Sequence, residues 1–112
     1  MTSRISFVEL PAASTGPMKR FYASAFGFAM TDFGPTYACT LGNEVDVGVQ
    51  ADRSEATVAP LPVIQVDNLE AAQLAVERAG GTITRAIFGF PGGRRFHFRD
   101  PGGNELAAMQ PT

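Results

Sequence analysis

The sequence predicts an α+β domain built from two βαβββ modules. Three observations carry this. The order strand, helix, three strands can be read twice along the chain. Each predicted helix has a single apolar stripe, which needs a sheet to cover it. Finally, twelve glycines and eight prolines, many of them between short apolar runs, mark the turns of a strand-rich chain.

In the first module, about residues 1–50, Ser6 to Leu10 is a strand closed by Pro11. Alternation puts Phe7 and Glu9 on one face and Val8 and Leu10 on the other. Pro17 fits a first helical turn, Met18, Phe21, Tyr22 and Ala25 recur at helical spacing, and Gly27 supplies the stop. Strands follow at about Phe28 to Phe33, Thr36 to Leu41 and Val45 to Gln50, with turns at Gly34-Pro35 and Gly42-Asn43. Residues 51–60 hold few large apolar groups and read as a linker.

The second module, about residues 61–112, repeats the order. Leu61 to Val66 is a strand, and Asp67-Asn68-Leu69-Glu70 reads as a capping box. Leu69, Ala72, Val76 and Ala79 form the helical stripe, and Gly80-Gly81 ends it. The last strands span about Thr82 to Ala86, Arg94 to Arg99 and Asn104 to Gln110. The connection Ile87-Phe88-Gly89-Phe90-Pro91-Gly92-Gly93, with two phenylalanines among three glycines, is a candidate lid or partner contact.

Bulk properties narrow the function classes. A chain of 112 residues is one domain of ordinary size, with 45% hydrophobic and 18% charged residues. Nine basic and eleven acidic residues leave a net charge of -2, too balanced for a nucleic-acid partner, and no basic run points to a membrane surface. No apolar run approaches the roughly 20 residues of a membrane span, and no signal-like start is seen. The lone Cys39 excludes an intrachain disulfide and suits a cytoplasmic setting.

The closing hairpin, Arg95-Phe96-His97-Phe98-Arg99, the turn Asp100-Pro101-Gly102-Gly103-Asn104, then Glu105 to Gln110, resembles that of the vicinal-oxygen-chelate superfamily of glyoxalases, bleomycin-resistance proteins and extradiol dioxygenases. Leu10-Pro11-Ala12-Ala13, Phe21-Tyr22 and Phe26-Gly27-Phe28 look like that family's first strand, helix and helix exit. Val66 to Ala72, with Ala79-Gly80-Gly81, looks like its second helix entry and exit, so the resemblance covers nearly the whole chain. It implies a curled mixed sheet with helices on the outer face and a ligand-binding cup inside. It is strongest toward short, single-domain glyoxalase-like proteins, which often form homodimers.

The resemblance also implies four metal-ligand positions, on the first and last strands of each half. They fall on Phe7, on Leu61, on Ala107 and within Asp46 to Gly48, with Gly48 favoured by strand face. Phenylalanine, leucine and alanine offer no ligand atom, and one histidine cannot supply the two that an extradiol iron site uses. The expectation is therefore no inherited metal and no cofactor. A rebuilt set of Glu9, His97 and Glu105 is the alternative, able to bind zinc or nickel or to move protons. The opposite reading of these three is rim residues making ordinary hydrogen bonds.

Alternation predicts a cup lined by Phe7, Glu9, Asp46, Gly48, Leu61, Val63, Gln65, Arg95, His97, Glu105, Ala107 and Met109, with Phe88 and Phe90 closing over it. Val8, Leu10, Val45, Val47, Ile64, Val66, Leu106 and Ala108 then pack under the helices. The expected function is a metal-independent protein binding a small organic molecule, amphipathic or aromatic, in the cup. The alternatives are a metal-dependent lyase, isomerase or dioxygenase-type enzyme, and a scaffold whose cup is filled. Gly89 to Gly93 lacks the lysine and hydroxyl of a phosphate loop, Arg94-Arg95 reads as a strand feature, and Cys39 as a buried small hydrophobe.

Overall fold

A computed structural model describes residues 3–112 and gives eight strands and two helices among them: β1 Arg4–Pro11, α1 Thr15–Phe26, β2 Thr31–Asp32, β3 Tyr37–Cys39, β4 Asp46–Gln50, β5 Leu61–Gln65, α2 Leu69–Arg78, β6 Thr82–Phe90, β7 Gly93–Arg99 and β8 Glu105–Pro111. The α+β class and the twofold βαβββ order are those expected. The chain forms two compact units, one of residues 7–61, the other of residues 62–112 with the residues through Ser6.

In the first unit the strand order is β2-β3-β4-β1. β1 runs parallel to β4, pairing Phe7 with Asp46 and Glu9 with Gly48, whereas β2, β3 and β4 pair antiparallel. Ala38 and Val49 are the buried centre of the layer next to α1. Gly27 ends α1 at φ 72°, a left-handed conformation that glycine adopts without strain.

Three expectations fail in this unit. Residues 28–30 are not strand, because the Phe28 N–H bonds the Tyr22 carbonyl and its ring stacks on Tyr22, which binds this stretch to the helix exit. The α1 stripe is not buried: Phe21 and Ala25 are exposed, and only Met18 and Tyr22 are half covered. Val45 is exposed as well, since it lies in the turn before β4.

In the second unit the order is β5-β8-β7-β6, with β5 parallel to β8 and the other pairs antiparallel. Val66, Leu69, Ala72, Phe96, Phe98 and Ala108 form one apolar cluster, joined by Ile64, Val76, Ile83, Ile87 and Leu106. Ile64, Val66, Leu106 and Ala108 thus pack under α2 as their alternation required. Ala79 is exposed, one turn beyond the part of the stripe that meets the sheet.

Two further corrections belong here. The α2 cap is Asn68, whose Oδ1 accepts from the Ala71 N–H at 2.9 Å, while Gln110 Oε1 accepts from the Leu69 N–H at 2.9 Å. The expected box failed because the helix starts one residue later, and Glu70 turns outward to Arg94. The segment from Ile87 to Gly93, expected as a connection, is a hairpin: β6 runs on to Phe90, Phe90 pairs with Gly93, and Pro91-Gly92 forms the turn with Gly92 at φ 112°. Gly93 needs to be glycine, because a Cβ there would run into the Gln110 carbonyl.

Candidate functional site

The four positions at which the family resemblance expects ligands hold a phenyl ring, a hydrogen, an isobutyl group and a methyl group. Leu61 and Ala107 are fully buried. At Gly48 a Cβ would stand 2.5 Å from Phe7 Cζ and 2.8 Å from Tyr37 Oη. The room that any side chain at 48 would need is therefore taken by the Phe7 ring and the Tyr37 hydroxyl. Asp46, the remaining carboxylate nearby, is tied into its own turn by Thr40 Oγ1 at 2.8 Å and Asn43 Nδ2 at 2.9 Å. These four residues do not fit a divalent metal.

In the first unit Glu9 is almost fully buried and its Oε1 accepts from Tyr37 Oη at 2.9 Å. Phe7 is half-buried beside it. Cys39 is buried, and burial, aided by the Asp46 charge, pushes its thiol pKa above the ordinary value, which fits an inert core thiol. Tyr37, which donates to the candidate Glu9, was not singled out in the sequence. Its tyrosine at the start of an otherwise small-residue strand was the available signal.

The second unit gathers the rest. Register places Val63, Ala107 and His97 on one row across β5, β8 and β7, and Gln65, Met109, Arg95 and Phe88 on the next, across β5, β8, β7 and β6. Val63, Arg95, His97 and Ala107 are buried, and Gln65, Phe88, Phe90 and Met109 are half-buried. Glu105 comes one strand over from His97, and its Oε2 lies 3.1 Å from His97 Nδ1. Two of the three candidates, His97 and Glu105, are thus brought into contact. Among the described residues no group of three or more His, Cys, Asp or Glu side chains is arranged to hold a metal ion.

Two irregularities in β6 build the opposite wall. Ile83 pairs with Phe98 but Arg85 with His97, and the next shift brings Phe88 opposite Arg95. Simple alternation would put Arg85 with Ile83 and Ile87 in the apolar core. The bulges instead send the two isoleucines to the core and re-aim Arg85 and Phe88 to the His97 side. The Arg85 guanidinium lies 3.6 Å from the Phe88 ring centre, and that of Arg95 lies 5.3 Å from it and 5.6 Å from Phe90. These are cation–π distances. Arg85 was also missed; an arginine between two core isoleucines was its signal.

Phe88 also lies against His97, ring centres 5.9 Å apart. Burial depresses the His97 pKa below its ordinary 6.5; the bond to Glu105 opposes this, and the charges of Arg95 and Arg85 reinforce it. The ring is therefore neutral near pH 7. With Nδ1–H donated to the carboxylate, Nε2 carries the lone pair. Nε2 is buried and has no hydrogen-bond partner among the described residues. A buried acceptor left this way costs about 1–3 kcal/mol.

With parallel and antiparallel strand pairs and two helices in this order, the fold is that of a glyoxalase-like domain. The chain belongs to the Glyoxalase/Bleomycin resistance protein/Dioxygenase superfamily, whose sequence pattern matches residues 4–108. Among solved structures, it is similar to a hypothetical protein from Bacillus halodurans C-125 (TM-score 0.83, 11% identity, covering 100% of this chain and 96% of that one). It is also similar to methylmalonyl-CoA epimerase from Mycobacterium tuberculosis (TM-score 0.72, 16% identity, 96% and 87%). A superfamily member from Vibrio splendidus 12B01 matches with TM-score 0.71 and 17% identity over 99% and 100%. At such identities the likeness is one of fold. No curated protein matches the chain.

Proposed function

We propose that this protein binds a small organic molecule without a metal of the superfamily's type. The binding surface in this reading is the second unit's face made of Val63, Gln65, Phe88, Arg95, His97, Ala107 and Met109. One observation carries it: a buried histidine is fixed through Nδ1, while its Nε2 lacks a partner among the described residues. The molecule supplies that partner and lays an apolar portion against Phe88 and Met109. Phe7, Glu9 and Leu61 belong to the first unit and are proposed separately as ligand contacts there.

A fragment screen by NMR on the intact chain tests this. Shifts should cluster on Phe88, His97 and Met109 and disappear in Met109→Lys at unchanged fold. Binding that survives this substitution would sink the assigned surface. In parallel, dialysis against Zn, Ni, Fe and Mn followed by elemental analysis should give no stoichiometric metal. Near-stoichiometric metal that is lost in Glu9→Gln, His97→Gln or Glu105→Gln would favour a rebuilt metalloenzyme instead.

The reading includes a homodimer in the cytoplasm. Support for pairing comes from α1, which has no buried residue and whose Tyr22 ring stacks with Phe26 and Phe28. Phe21 and Phe26 are 57% and 67% exposed. A second copy would cover this apolar face. Sedimentation should give a dimer that Phe26→Ser weakens; a monomer at all concentrations would remove this part. No helix of the described residues is long and apolar enough to cross a membrane.

A further inference from the structure

We propose that the His97–Glu105 pair is a proton-transfer device, in which His97 Nε2 takes a proton from a weakly acidic O–H or N–H group of the bound molecule. Glu105 is the positioning residue. This rests on the reading that the face around His97 binds a small organic molecule, and it adds which chemistry that molecule carries and what happens to it.

Geometry supplies the first argument. A carboxylate only accepts hydrogen bonds, so Glu105 Oε2, 3.1 Å from Nδ1, selects the tautomer with the proton on Nδ1. Nε2 is then a bare acceptor, buried and without a partner among the described residues. An apolar ligand would leave it so. A ligand with a donor at that point satisfies it.

The second argument is a gradient of exposure along the pair. The His97 side chain is 3% exposed and that of Glu105 25%. Thr84 Oγ1, on an exposed residue of β6, lies 3.4 Å from the same Oε2. One nitrogen of the ring is thus buried, and the other meets a carboxylate that reaches solvent. When X–H gives its proton to Nε2, the products are X⁻ and an imidazolium whose second N–H is held by the ionised Glu105. The charge formed on the ring is compensated where it appears. The proton then returns to X or leaves from Nδ1 by way of Glu105 to water. No electron changes hands and no further reactant enters.

Third, the surroundings suit the anion. Arg85 and Arg95 both flank Phe88, and their charges are felt at His97. Two guanidiniums near a neutral base disfavour a proton on an empty ring but stabilise X⁻ once it forms. The matching molecule is neutral before binding, weakly acidic, and carries an apolar or flat body for Phe88.

His97 is the sole histidine of the chain, so its imidazole ¹⁵N spectrum has one source. Without ligand at neutral pH it should show the Nδ1–H tautomer. A ring protonated on Nε2 would overturn the inference. As probe we choose 4-nitrophenol, a coloured weak acid. On titration Nε2 should gain a proton, and the phenolate band should exceed that in buffer at the same pH. Shifts at Phe88 and Met109 with Nε2 still bare would overturn proton transfer and leave the binding reading standing. No shift on any β5 to β8 residue at the solubility limit would overturn both.

Glu105→Gln should still bind the probe while the bound phenolate-to-phenol ratio falls about tenfold or more, the equivalent of one pKa unit. Glu105→Asp, which keeps the charge, should recover part of the loss and provides the readout if the glutamine variant misfolds. An unchanged ratio in the folded variant would remove Glu105 from the device.

Discussion

The ring of Phe7 stands where the first atom of any side chain at Gly48 would have to lie, 2.5 Å from the ideal Cβ position. The two residues sit on the paired strands β1 and β4, and Tyr37 closes the same space from β3 at 2.8 Å. Any side chain added at 48 therefore collides with the Phe7 ring.

Gly48→Ala should destabilise the fold by about 1–3 kcal/mol through overpacking, as read by urea denaturation. Combined with Phe7→Ala, its cost should largely vanish, because the colliding ring is gone. Additive costs in the double variant would show that the clash is relieved elsewhere.

The depressed His97 pKa has a defined sign. The folded ring resists protonation, whereas the unfolded ring takes a proton near its ordinary 6.5. Below that pH the unfolded state binds more protons, so this contribution is full above 6.5 and is lost as pH falls from 6.5 through the folded value. The difference in stability between the wild type and His97→Gln should accordingly shrink or reverse on going from about pH 8 to about pH 5. A difference independent of pH would contradict the burial of the ring.

Asn68 holds the start of α2. Asn68→Ala removes the acceptor for the Ala71 N–H and should cost about 0.5–2 kcal/mol, read by thermal melts. An unchanged melt would mean that Asn68 is not the cap.

Arg94 donates to both oxygens of Glu70 and holds its carboxyl near pKa about 2, against an ordinary 4.5. Arg94→Gln should return it toward 4.5, followed by carboxyl ¹³C shifts against pH. Because the pair is solvent-exposed, little change in stability is expected. A Glu70 that titrates normally in the wild type would mean the pair is not formed.

The twofold strand–helix order, the α2 core and the shared strand face of Val63, Gln65, Arg95, His97, Ala107 and Met109 were legible from the sequence. These follow from periods of 2 and 3.6, which are local and survive without tertiary knowledge. Tertiary structure decided the rest. The stretch from Ile87 to Phe90 became strand because β7 was there to pair with it, and the α1 aromatics stayed outside because the sheet next to that helix is short. Arg85 turned toward His97 through two bulges, and a bulge is a property of a strand pair. The Nδ1 contact of His97 depended on β8 bringing Glu105 beside it. Alternation along one strand fixes which side a residue faces, but only the register between strands fixes what it meets there.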